Sequence, residues 1–93
     1  YDTSYYATVY HGEIHNNLAY IEYLNKEFDK AYVDINKAKK VALKYNDVDL
    51  YMNIVKLENF IINELTKEQK EILDTKINKI PIIENSQHKA INF

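Results

Sequence analysis

One glycine, Gly12, and one proline, Pro81, are all that this chain of 93 residues has of the two strongest turn formers. Strands in a sheet protein must reverse about every 8–12 residues, and the reversals draw on Gly, Pro, Asn and Asp. An all-β fold is therefore not expected, and helices joined by short turns remain. Apolar residues make up 46% of the chain, ordinary for a folded domain and too many for a disordered one. A domain this short buries a modest share of its surface, so its core is marginal.

The pattern of apolar residues predicts four helices. Asp2, Thr3 and Ser4 offer N-cap oxygens, and a first helix is predicted over about 5–25. Ile14, Leu18, Ile21 and Leu24 or Asn25 lie near one face of it. Gly12 interrupts this helix at a cost of about 1 kcal/mol against Ala. A tight turn without Gly or Pro follows at Asn25–Phe28. The second helix is predicted over about 29–45, with a stripe of Ala31, Ile35, Ala38 and Ala42. Lys30, Lys37, Lys40 and Lys44 make its opposite, solvated outer face. Asn46–Asp47 caps a third helix over about 48–65, built on Leu50, Ile54, Leu57, Ile61 and Leu65. Val55, Phe60 and Ile62 widen its stripe, and Asp49 complements the dipole of its first turn. Thr66 and Gln69 have capping-box spacing and open a fourth helix over about 67–79, which Pro81 stops. Residues 82–93 carry no usable periodicity. Connections of two to four residues force antiparallel neighbours. The expected fold is all-α, two antiparallel helical hairpins over residues 1–80 with an irregular tail over 81–93.

Charge and composition limit the function. The net charge is −2, and all 12 basic residues are Lys. Arg is the residue that grips phosphate and guanine bidentately, so nucleic acid is not an expected partner. There is no Cys for a thiolate metal site, and no apolar run approaches the ~20 residues of a membrane span. Asn, Ile, Lys and Tyr are abundant while Arg is absent, as in proteins of low-GC genomes. The chain opens on Tyr1, not Met, and a processed product or an excised piece is expected.

The stretch His11-Gly12-Glu13-Ile14-His15 has the letters of a zinc-protease helix, rearranged. In the protease signature Glu directly follows the first His. Here Glu13 is turned about 200° from His11 and cannot serve a metal held by both histidines. A zinc site needs a third protein ligand, and the remaining His88 lies in the tail. No metal and no cofactor are expected. Ser and Thr are few, and none sits beside a His and an acid in a nucleophile's pattern, so no enzymatic role is expected.

The first hairpin resembles a tetratricopeptide repeat. Leu18 and Ala19, then Tyr23, then Phe28 and Ala31, then Ala38 stand at the family's spacing without an insertion. Glu22 occupies a place where the family has an aromatic, and the closing Pro is missing. Adding the family period of about 34 residues to Ala19 lands on Asn53, and to Ala31 on Leu65, neither of them small. Repeat 1 thus covers about 5–46, and a divergent repeat 2 about 47–80. The long helices and the ending Lys39–Asp47 of the first hairpin are similar to the peptide-sensing regulators of low-GC Gram-positive bacteria.

The resemblance carries expectations for function. It implies that Ala19, Ala31 and Ala38 are small so that two helices approach, that Leu18 and Phe28 fill the groove between them, and that His15 packs in the seam. It implies a concave face presenting Glu13, Asn16, Tyr20, Tyr23 and Leu24. The Lys–Asn clamp by which chaperone-binding repeats hold an acidic C-terminus is absent; Asn16 and Tyr20 stand in its places. A neutral or apolar peptide or a protein partner is the expected ligand. The implied setting is a cytoplasmic bacterial regulator or sensor of which this chain is a fragment. The alternative is a structural module that caps an array or mediates oligomer contacts. Tyr1, Tyr5, Tyr6 and Tyr10 crowd the first helix, and Phe60, Ile61 and Ile62 stand consecutively on the third. Arrays of this kind need about three repeats to bury their faces. Further repeats, a partner or a homodimer are expected to cover the excess.

The small-residue seam is testable. Overpacking a close helix contact costs about 1–3 kcal/mol. The variant Ala31→Leu should melt several degrees below the parent by circular dichroism, whereas equal melting temperatures would disprove the assigned register.

Overall fold

The computed structural model describes the backbone of residues 3–79 and the side chains from residue 11 to 79. The side chains of Tyr1, Tyr5, Tyr6 and Tyr10, the cap expected of Asp2, His88 and the tail 81–93 lie outside the described residues. Four helices follow in order: α1 (Thr3–Leu24), α2 (Phe28–Lys44), α3 (Val48–Asn63) and α4 (Lys67–Asn78). Among the described residues there is no strand, and the fold is an all-α arrangement of helical hairpins. No helix of the described residues is long and apolar enough to cross a membrane.

The first two turns share one backbone solution. The Glu27 amide donates to the Glu22 carbonyl at 2.8 Å, and the Lys26 amide to that of Tyr23 at 3.0 Å. After α2, Asp47 and Asn46 donate to Ala42 and Leu43 at 2.9 and 3.4 Å. Both are Schellman turns, which need a left-handed residue just past the helix. Without glycine, Lys26 (φ 62°) and Asn46 (φ 57°) supply it. Asn tolerates this region by bonding locally; Lys carries the full steric cost. The Asp47 carboxylate then caps α3 by accepting from the Leu50 amide at 3.1 Å. The third turn has no left-handed residue. Thr66 opens α4 with a complete capping box, its hydroxyl accepting from the Gln69 amide and the Gln69 side chain accepting from the Thr66 amide.

Close packing of α1 on α2 is the most extensive helix contact, followed by α2 on α3. Ala19, Ala31 and Ala38 are wholly buried there, as are Ile35, Ile54 and Ile61 farther into the core. A Cβ added at Gly12 would stand 3.0 Å from Val41 Cγ1 and 3.1 Å from Leu50 Cδ2. Gly12 is therefore a crossing point of three helices, not merely a weak spot in one. In contrast, α4 seats on α2, where Leu73 and Ile77 join the core. The Lys40 ammonium donates to the Ile77 carbonyl at 3.0 Å. That corrects the expectation of a wholly solvated Lys face, because α4 covers part of it.

A second correction concerns α1. Ile14, Leu18 and Ile21 do not face the core; they are 53, 40 and 53% exposed. Close approach to α2 requires small side chains, so α1 turns Gly12 and Ala19 inward and leaves its bulky aliphatics outside. Leu18 thus does not fill the interhelical groove.

Lys26 gives the turn geometry a direct test. A left-handed non-glycine costs roughly 1–2 kcal/mol, and Gly returns roughly 0.4–1 kcal/mol of that through unfolded-state entropy. Lys26→Gly should raise the melting temperature by a few degrees; a lower one would mean that Lys26 does not sit left-handed.

Candidate functional site

The five residues expected on a concave face share one side of α1 but differ in their surroundings. Glu13 is exposed, and Tyr20 and Leu24 are 53 and 59% exposed. Tyr23 is half-buried beneath them. Its ring meets Phe28 edge-on at 5.7 Å between centroids and Phe60 of α3 at 6.3 Å. Phe60 is itself 59% exposed. Tyr23 thus links α1 to Phe60 of α3, while Tyr20 and Leu24 stand exposed on the neighbouring turns of α1. Aromatic side chains offer large contact area at low entropic cost. Phe60 is not among the residues expected on the concave face, but the run Phe60–Ile61–Ile62 marks it as apolar surface in excess of one helix face.

Asn16 sits on the same side of α1 as these residues. It is half-buried, and its Oδ1 is buried with no hydrogen-bond partner. An orphaned buried acceptor costs about 1–3 kcal/mol.

On the other flank of α1, polar groups meet α2. His15 Nδ1 lies 3.0 Å from Asp34 Oδ1. His11 touches the His15 ring edge-on at 6.4 Å, and the His15–Asp34 contact occupies the nitrogen nearest the helix pair. Among the described residues no three His, Cys, Asp or Glu side chains gather as metal ligands. Glu22 is 9% exposed, as is Asp34. Burial first, then the neighbouring Asp34 carboxyl, pushes Glu22 up to about 7. Glu22 and Asp34 line a groove of about 370 Å³ between α1, α2 and α4, floored by Val33 and Leu73 and rimmed by Lys37 and Lys76. Only the oddity of Glu22 at an aromatic's place hinted at this cluster in the sequence.

Two further polar contacts hold α2 to its neighbours. The Tyr32 hydroxyl donates to Asp74 Oδ1 at 2.6 Å, and Lys70 reaches Asp74 Oδ2 at 2.9 Å. The Tyr32 hydrogen bond holds Asp74 below the usual carboxylate range, while burial raises Tyr32. Lys39 bridges to Glu58 of α3 at 2.6 Å. These groups face their partners across the helix contacts.

Asn16 can be tested for a cost in stability. Ala removes the orphaned oxygen and is a better helix former by a few tenths of a kcal/mol. Asn16→Ala should therefore melt at or above the parent's temperature. A drop of several degrees would mean that the amide has a structural partner.

No family model, no curated protein and no solved structure matches this chain, so its function has to be read from the side chains themselves.

Proposed function

We propose that this chain is a non-catalytic interaction module of tetratricopeptide type that binds a neutral or apolar peptide, or a partner helix, across α1 and α3. The observation that supports this reading is the exposure of Tyr20, Leu24 and Phe60, each more than half exposed, with Phe60 packed on the Tyr23 ring of α1. Exposed apolar surface gathered in one place marks an interface more often than scattered single residues do. Glu13 at the edge disfavours an acidic ligand. The module would belong to a longer cytoplasmic regulator or sensor, with the peptide as its signal.

A second reading has its own observation. Ile14, Leu18 and Ile21 lie exposed on another face of α1, which suits packing against a further repeat or a second copy of the chain. On that reading the module is structural and takes no ligand.

The two readings separate by experiment. Isothermal titration should find an uncharged apolar peptide that binds more tightly than an acidic one of equal length. Tyr20→Ala and Phe60→Ala should each weaken it about tenfold or more, the range of an aromatic anchor. Ile14→Lys with Ile21→Lys should leave that binding intact. Should the lysine pair instead abolish a dimer seen by light scattering while no peptide binds, the structural reading holds.

A further inference from the structure

We infer that Glu22, Asp34 and His15 form a proton-sharing latch, in which a proton on Glu22 is donated to Asp34 and fastens α1 to α2. The carrying observation is geometric. Glu22 Oε1 is buried and has no hydrogen-bond partner when the carboxyl is counted as an acceptor alone. Asp34, its neighbour across the helix seam, is equally buried. Two buried carboxylates side by side repel strongly, and paired acids relieve this by sharing one proton. A protonated Glu22 turns the orphaned acceptor into a donor, and Asp34 is the acceptor beside it. Asp34 is then satisfied from both sides, by Glu22 and by His15 at 3.0 Å. Glu22 and His15 stand two turns apart on α1, so the pair grips Asp34 between them.

The charged neighbours pull in both directions. Glu27 in the following turn and Asp34 of α2 oppose ionisation, and Lys30 of α2 acts against them; Asp29 and Lys37 of α2 and Lys76 of α4 line the same groove, and His15 of α1 meets Asp34. Lys30 favours an ionised Glu22, but it is engaged by Glu27 at 3.0 Å. Burial and Asp34 outweigh it, and the net push is upward, to about 7.

The consequence for pH follows in sign. In the unfolded chain Glu22 releases its proton near 4.5, in the folded one near 7. Between those values the folded state holds more protons, so rising pH favours unfolding. The latch contributes fully below 4.5 and is lost as pH rises through about 7, the proton passing to water through the groove. This inference does not depend on any ligand of the exposed face. It does bear on that face, since α1 also carries Tyr20 and Leu24.

The test is a carbon-13 titration of the side-chain carboxyls in the whole chain, followed by melts at pH 5 to 8. Glu22 should titrate near neutrality, far above the other glutamates, and D34N should return it toward the ordinary range. The folding constant of the parent should fall by up to tenfold per pH unit through this window. E22Q, whose amide donates to Asp34 at every pH, should lose that slope and melt above the parent at pH 8. If E22Q fails to fold, the parent titration decides alone. Glu22 titrating together with the other glutamates, or a slope unchanged in E22Q, overturns the latch.

Discussion

Everything in this fold depends on how closely α1 can approach α2. Gly12 and Ala19 on one helix, and Ala31, Ala38 and Ala42 on the other, remove the side-chain bulk that would hold the axes apart. Once the backbones are near, short polar side chains on the flank of the seam can reach across it. His15 meets Asp34 there. With its remaining faces α2 holds α3 through Lys39 and Glu58, and α4 through Tyr32 and Asp74. The energies rank these contacts. Truncating a core residue such as Ile35, Ile54 or Ile61 costs about 2–5 kcal/mol, whereas a partly exposed ion pair contributes about 0–1 kcal/mol. Apolar burial stabilises the bundle; the polar contacts decide which helix sits where.

Local signals were legible in the sequence and long-range ones only in part. The helix ends follow from side chains within three residues of each other, as with Asp47 and Leu50 or Thr66 and Gln69. The inward stripe of α2 follows from Ala31, Ile35, Ala38 and Ala42 because that helix separates apolar from charged residues cleanly. The orientation of α1 did not follow. Periodicity searches for large apolar side chains, and those of α1 are spread around the helix. Among the described residues its buried side consists of Gly12, Ala19 and Glu22, residues that such a search passes over. The candidate site was legible only in part. The family resemblance points to Tyr20, Tyr23 and Leu24 on the first helix, but Phe60, 37 residues beyond Tyr23 in the chain, joins through a tertiary contact with its ring.

The three sides of α1 have different chemistry, which is unusual for a helix at the end of a bundle. One side is small and polar and meets α2, one carries Tyr20 and Leu24 beside α3, and one exposes Ile14, Leu18 and Ile21. A helix with apolar residues on most sides is ordinarily surrounded. Within the described residues α1 is covered on one side and part of another. That imbalance motivates both readings of the function, since a peptide and a further repeat would cover different sides of the same helix.

The glycine-free turns at Lys26 and Asn46 also act on the state that no structure depicts. Each left-handed residue strains the folded backbone. Yet a chain with a single glycine is stiffer when unfolded, because every other residue is confined to fewer backbone conformations. Such a chain has less disorder to surrender on folding, which favours the native state by a part of what the strain removes. For a domain with so small a core, narrowing the denatured ensemble is a source of stability that requires no additional contact.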